Sequence, residues 1–148
     1  MKTLKNEKGF TLVELVIVIV VLGLLAAFAV PKFISVTAAA RTASVNGFAG
    51  GLRAAVAVVR SQYMVTGQTT SPVTMADGST VAVGTLGAAA GVPTGAAAGI
   101  GAAMNDMSGF TVVYGATTTF TPSGGGATCQ VSYNGATGAV TTTTTNCS

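Results

Sequence analysis

The residue with the clearest chemistry in this sequence is Glu14, a carboxylate within an otherwise apolar run from Phe10 to Val30. An acid inside a membrane-spanning helix costs about 2.5 kcal/mol or more, so such residues are rare unless a partner neutralises them. The chemistry open to Glu14 is therefore ion pairing with a cation on a neighbouring helix. Removing that cation would strand a buried charge. We interpret Glu14 as a residue that sets the register of assembly.

Other reactive side chains are scarce. The chain of 148 residues contains no His, two Cys and four acidic residues. Cys–His pairs, Ser–His–Asp triads and His-based metal sites cannot be built from this set. The glycine-rich stretches contain no GxxxxGK[ST] phosphate-binding loop. We predict that the protein is not an enzyme and binds neither a cofactor nor a metal.

The distribution of charge argues against a nucleic-acid partner. The formal net charge is +3, but Lys2, Lys5 and Lys8 against Glu7 place +2 of it in the first nine residues. No Lys or Arg follows Arg60. We therefore predict no direct binding of nucleic acid, which needs cations against the phosphates.

The apolar run is long enough to cross a membrane. At 1.5 Å per residue, residues 10–30 span about 31 Å. The lysines before the run predict a cytoplasmic N-terminus, with the remainder exported. Three interpretations compete: an ordinary anchor, a secretory signal cut after Ala27-Phe28-Ala29, and an export signal cut before the run. Neither of the first two requires Glu14, so the sequence favours the third.

The segment Gly9-Phe10-Thr11-Leu12-Val13-Glu14, after a short basic leader and before an apolar helix with Pro31, resembles the class III signal of type IV pilins and type II secretion pseudopilins. The resemblance implies removal of residues 1–9 by a prepilin peptidase that cuts between Gly9 and Phe10. It implies N-methylation of Phe10 by the same enzyme. It also implies that Glu14 pairs with the N-terminal amine of an adjacent subunit.

A single long helix is predicted from residue 10 to residue 66, with residues 10–30 forming the membrane span or filament core. Pro31 and Gly23 are predicted to kink or weaken it, and the alternative is a helix that ends at Val30. Apolar residues resume at spacings of 3 and 4, which predicts one buried helix face. The members of this face are Val45, Phe48, Leu52, Val56, Val59 and Tyr63.

Two smaller features of the predicted helix concern its glycines. Gly67 is a plausible C-terminal cap. Gly47, Gly50 and Gly51 either weaken the helix locally or allow close packing of the sheet or of a neighbouring helix, and the sequence leaves both open.

Residues 67–148 are predicted to form a β-rich head, which gives an α+β protein: a long N-terminal helix packed on a small antiparallel sheet. Asp77-Gly78 predicts the turn of a hairpin between Val73–Met75 and Thr80–Val83. The Gly/Ala-rich segment 84–103 is expected to be a loop with one short helix near 96–104. Four further strands are predicted. They cover residues 110–114, 117–121, 128–133 and 139–145.

The two cysteines, Cys129 and Cys147, fall near opposite ends of the last predicted hairpin. An exported head lies in an oxidising compartment, which favours a disulfide over two free buried thiols. Type IV pilins close a C-terminal loop in this way, and the resemblance implies that the loop faces outward. The threonines from Thr141 to Thr145 are expected to form a strand, with an O-glycosylated or ligand-contacting surface as the alternative.

The resemblance implies a structural subunit of a type IV pilus that serves adhesion or motility. The C-terminal segment is most similar to the mannose-sensitive haemagglutinin type of pilin. The alternative is the major pseudopilin of a type II secretion system, which usually has a C-terminal calcium site and no disulfide loop. After Arg60 the only acids are Asp77 and Asp106, expected to be isolated from each other, which disfavours calcium.

The resemblance also implies partners and a location. The partners are other copies in a helical filament, the prepilin peptidase, an assembly platform and cytoplasmic ATPases. The precursor would lie in the inner membrane, and the mature subunit in an extracellular filament.

Overall fold

The computed structural model describes residues 9–67 and 69–148, with the backbone alone at residues 30, 31 and 33–35. Of the predicted leader, residues 1–8 and their lysines lie outside the described residues. The chain divides into two compact units, Met1–Val36 and Thr37–Ser148. Together they give the predicted α+β fold, with a long N-terminal helix and a small antiparallel sheet.

One helix, α1, runs from Leu12 to Val65. It continues through Gly23 and Pro31, so the alternative of a helix ending at Val30 is wrong. A proline removes one backbone hydrogen bond, but apolar helix-forming residues on both sides can sustain the helix across it. The kink at Pro31 stays a prediction.

Gly67 caps the C-terminus of α1, as predicted from the sequence. Gly67 adopts a left-handed φ of 60°, and its N–H donates to the Met64 carbonyl at 3.3 Å. The Thr66 hydroxyl donates to the Gln62 carbonyl at 2.7 Å. These bonds satisfy carbonyls that the last turn of a helix leaves without partners.

Two antiparallel sheets follow the helix. Strands β1 (Val73–Thr74) and β2 (Thr80–Val81) form the predicted hairpin, with Gly78 at a φ of 84° in its turn. The second sheet has four strands in the order β3-β4-β5-β6. These are β3 (Phe110–Val113), β4 (Thr117–Pro122), β5 (Cys129–Asn134) and β6 (Val140–Thr144). All four predicted strands are confirmed, including the threonine-rich last one.

The core joins the second half of α1 to the four-stranded sheet. Val45 and Leu52 are completely buried, together with Phe120 and Val131 of the sheet. Phe48 stacks on Phe110 with ring centroids 4.2 Å apart. The helix face predicted from the 3 and 4 spacing is therefore the one that packs on the sheet.

The glycine-rich segment 84–103 contributes more to the core than its composition indicated. Val92 and Ile100 within it are fully buried. One turn of π-helix at Ala97–Gly101 occupies the position of the predicted short helix. The Tyr133 hydroxyl donates to the Pro93 carbonyl at 2.6 Å, and burial raises the pKa of this phenol. The segment is thus a packed layer of the head.

The C-terminal loop is closed by a disulfide between Cys129 and Cys147, whose Cα atoms are 4.9 Å apart. Two arginines of α1 hold the same region. Arg41 Nη1 donates to the Cys147 carbonyl at 3.1 Å, and Arg53 Nη2 donates to the Val140 carbonyl at 3.2 Å. Helix and loop are therefore joined by polar contacts as well as by the core.

Reduction of this disulfide should lower the free energy of unfolding by about 3 kcal/mol, since the bond restricts the unfolded chain. Urea unfolding of the full chain in detergent, with and without reductant, measures the difference. The variant with both cysteines changed to alanine, at the same two reductant levels, controls for effects of the reductant itself. An unchanged urea midpoint on reduction of the native chain would contradict the prediction.

Candidate functional site

The candidate site is the start of α1, where Thr11 and Glu14 form a reciprocal set of hydrogen bonds. Glu14 Oε2 accepts from the Thr11 N–H at 2.9 Å and from the Thr11 hydroxyl at 2.7 Å. In return, the Glu14 N–H donates to Thr11 Oγ1 at 3.2 Å. This is a capping box, which satisfies donors that the first turn of a helix leaves open. The local sequence Thr-x-x-Glu thereby fixes the carboxylate against its own helix terminus.

The capping box leaves half of the carboxylate without a partner. All hydrogen bonds that Glu14 accepts within residues 9–67 and 69–148 go to Oε2. No cation of those residues pairs with Glu14. Oε1 is therefore available to a donor from outside the chain, and an ammonium group is the donor with the strongest attraction for it.

The proposed cleavage point lies directly beside this carboxylate. Phe10 is 85% exposed, and a Cβ on Gly9 would meet no atom within 4 Å, so no side chain packs closely on either residue. Cutting there would make Phe10 the first residue and leave the Thr11 N–H as an ordinary peptide donor. The capping box can thus persist after processing, while a new amine appears four residues before Glu14.

The helix that follows presents apolar side chains in every direction. The segment Leu12–Ala29 has a mean hydropathy of 3.0 and is long and apolar enough to cross a membrane. Large side chains such as Leu12, Ile19 and Phe28 are at least 58% exposed in the single chain. Such a surface is not stable in water, so it needs lipid or other copies of itself. A second stretch, Val36–Val65, is also long and apolar enough to cross a membrane, but its mean hydropathy is lower, at 1.2.

The predicted site residues do not all come together. Gly9, Phe10 and Glu14 lie at the start of α1, whereas Gly23 and Pro31 lie further along it, and a Cβ on Gly23 would meet open space. Cys129 and Cys147 belong to the other compact unit. The processing and pairing residues therefore form one group in the described part of the chain, and the two cysteines form a second, in their disulfide.

Asp77 and Asp106, which the sequence was expected to keep isolated from each other, both line one groove. Ser79 donates to Asp77 Oδ1 through its hydroxyl and its N–H, at 2.6 and 2.9 Å. The Ser108 N–H donates to Asp106 Oδ1 at 2.7 Å. For each aspartate, the hydrogen bond from the serine hydroxyl is the largest cause that lowers the pKa of the carboxyl below its usual value. The hydrogen bond from the serine N–H is the second cause. Both are therefore charged at neutral pH.

The two aspartates have no third ligand nearby. In the described part of the chain, no three His, Cys, Asp or Glu side chains lie close enough to hold a metal ion. The separation of 29 positions in sequence gave no indication that both aspartates line one groove.

Thr11 is the residue of the site that the sequence interpretation missed. Its signal was present as Thr-x-x-Glu immediately before an apolar helix, the pattern of a capping box. Glu14 thus has a second role, as part of the helix cap.

Comparison with known proteins identifies the N-terminal segment. The prokaryotic N-terminal methylation motif matches residues 4–30. The chain is 47% identical over 57 residues to the type IV narrow pilus major component PilA5 of Thermus thermophilus, covering 38% of this chain and 49% of that protein. It is 44% identical over 51 residues to the type IV major fimbrial protein FimA of Dichelobacter nodosus, covering 34% and 32%. No solved structure matches.

These matches cover only part of each chain. The aligned part of the chain spans about half the length of the Thermus protein and about a third of the Dichelobacter protein. The methylation motif covers the signal and the first part of the helix.

Replacing Thr11 by valine should loosen the start of α1, because the hydroxyl that bonds both Glu14 groups is lost. Loss of such a cap costs about 1 kcal/mol, which corresponds to about a fivefold faster hydrogen exchange at the Glu14 amide. NMR of the full chain in detergent measures this rate. Thr11→Ser should restore the slow exchange, and a valine variant with native exchange would contradict the assigned capping box.

Proposed function

We propose that this chain, which carries the class III signal of the type IV pilin family, is the structural subunit of a type IV pilus. Many copies assemble through their apolar helices into a surface filament used for adhesion or motility. The observation that supports this most strongly is the half-satisfied carboxylate of Glu14 on a helix that is apolar all round. Neither a plain membrane anchor nor a cleaved secretory signal requires it.

The chemistry of assembly follows from the geometry at the start of the helix. Cleavage between Gly9 and Phe10 converts a neutral peptide nitrogen into an amine. Methylation of that amine leaves it protonatable, so it remains a cation. We infer that the amine of one subunit binds Oε1 of Glu14 on a neighbour, while Oε2 stays in the capping box. In a low-dielectric filament core, an unpaired Glu14 would be strongly unfavourable, so the pair fixes the register.

The pilus is favoured over the pseudopilus by three observations. The C-terminal loop is closed by a disulfide. The relatives named above are pilus and fimbrial components. The two aspartates of the head have no third acidic partner in the described residues, whereas calcium takes 6–8 oxygen ligands.

The proposed life of the protein has two locations. The precursor lies in the inner membrane with a cytoplasmic N-terminus, where a prepilin peptidase removes residues 1–9 and methylates Phe10. An assembly platform and cytoplasmic ATPases then add the subunit to the extracellular filament. The role is structural, with no enzymatic activity of its own.

Glu14→Ala should leave export intact and abolish or cripple filament formation, since the amine of each incoming subunit loses its partner. The measurement compares the amount of protein sheared from the cell surface with the amount in the membrane. Abundant normal filaments from this variant would contradict the pairing.

Glu14→Gln separates charge from capping in the same assay. Glutamine also serves at this position of a capping box, but it cannot form the ion pair. We expect it to fail in assembly like alanine. Ile17→Ala, which shortens an exposed apolar side chain of the same helix, is the control that should still assemble.

A further inference from the structure

A groove in the second unit lies between α1 and the β1–β2 hairpin. It has a volume of about 540 Å³. One wall is formed by small and apolar helix residues, and the other walls by the hairpin and by residues 102–106. Representative lining residues are Gly51, Ala55, Val58, Met75, Val81 and Met104. The groove is thus mainly apolar, and it belongs wholly to one compact unit.

The charge on the groove is purely negative. Asp77 and Asp106 both line it, and no Lys or Arg does. Within the described residues, each aspartate accepts hydrogen bonds only at Oδ1, from Ser79 or Ser108. Their Oδ2 atoms are therefore available to a cationic partner, which is the charge complementarity that an occupant of this groove must supply.

The same unit contains one cation without a partner. Its charged side chains are Arg41, Arg53, Arg60, Asp77 and Asp106. Arg41 and Arg53 donate to carbonyls near the C-terminus. Arg60 is exposed and makes no hydrogen bond or ion pair with the described part of the chain. This unit has few charged residues. Among its described residues, the Arg60 guanidinium and the Oδ2 atoms of both aspartates therefore have no hydrogen-bond partner.

Arg60 and the groove lie on opposite flanks of α1. Successive helix residues are about 100° apart, and the buried Val59 points into the core. Val58, one position before it, lines the groove. Arg60, one position after it, therefore lies on the other flank. Gly51 and Arg53 repeat this arrangement on either side of the buried Leu52.

Met64 gives the Arg60 flank an apolar component. Residues four apart on a helix are neighbours on its surface, and Met64 is 65% exposed. The flank thus offers a guanidinium beside a flexible apolar side chain. The groove offers two carboxylates beside an apolar floor. The glycines that bear on this approach, Gly47 and Gly51, would meet no atom within 4 Å if given a Cβ. The sheet therefore does not pack closely on these glycines.

We propose that the groove binds Arg60 and Met64 of a second copy of this chain. The proposal rests on the filament function above and names a contact between heads within it. The two matching surfaces lie on opposite flanks of α1. The groove of each copy can therefore bind one neighbour, while its own Arg60 and Met64 bind in the groove of another. Such a heterologous contact, if it does not close into a ring, propagates along a filament.

The test uses filaments of the full chain with two cysteines added, Ala55→Cys in the groove and Met64→Cys on the opposite flank. A short bis-maleimide joins free thiols only, so the Cys129–Cys147 disulfide does not react. Sheared filaments should give a ladder of covalent multimers. Each single cysteine variant should give no ladder. The matched control pair is Ala55→Cys with Val113→Cys, which places the second cysteine at an exposed position of strand β3. This pair should also give no ladder.

The charge component is tested by adding Arg60→Glu to the cysteine pair, which should reduce the ladder several-fold. Thr111→Glu adds an acid at an exposed position of strand β3, away from that flank, and should leave the ladder unchanged. Filaments that assemble but give no ladder, or a ladder insensitive to Arg60→Glu, overturn the proposed contact while leaving the pilus function intact. Absence of any filament from the native chain would instead overturn the pilus function.

Discussion

The structure depends on one constraint, a carboxylate that must be held in an apolar environment. Glu14 lies on a helix that is stable only in lipid or among other apolar helices. Its own chain satisfies one carboxylate oxygen through Thr11 and leaves the other open. Under the proposed pairing, a single chain would be incomplete, because its most costly group would be fully satisfied only by a neighbour.

The remainder of the chain is held by contacts within itself. In the second half of α1 the apolar residues are confined to one face, and the sheet buries that face. The disulfide and two arginine–carbonyl contacts then hold the C-terminal loop. The contacts that hold the head thus lie within the second compact unit, Thr37–Ser148. Its charged residues are so few that the groove aspartates and Arg60 stand out as the polar groups left for contacts between heads.

Much of this fold could be predicted from the sequence, for identifiable reasons. The period of 3 and 4 fixed the buried face of α1, and β-branched runs between turn residues gave the strands. Asp77-Gly78 gave the first hairpin. The helix was also predicted to pass Pro31, because the apolar pattern resumes beyond it.

What could not be predicted depends on tertiary placement. Composition suggested a loop for segment 84–103, but Val92 and Ile100 make it part of the core, and small residues let its backbone pack closely. Asp77 and Asp106, far apart in sequence, likewise line one groove that the hairpin and residues 102–106 form with α1. The roles of Arg41 and Arg53 were hidden for the same reason, since a donor to a backbone carbonyl has no partner residue that a sequence pattern can show.

The most direct measurement is the intact mass of the protein in the fraction sheared gently from the cell surface. The account predicts a chain that starts at Phe10, heavier by one methyl group and lighter by two hydrogens for the disulfide. The same mass found only in membranes would favour the secretion pseudopilus over the pilus. A chain that starts after Ala29 would contradict the account, because it would lack Glu14 and the helix that the filament requires.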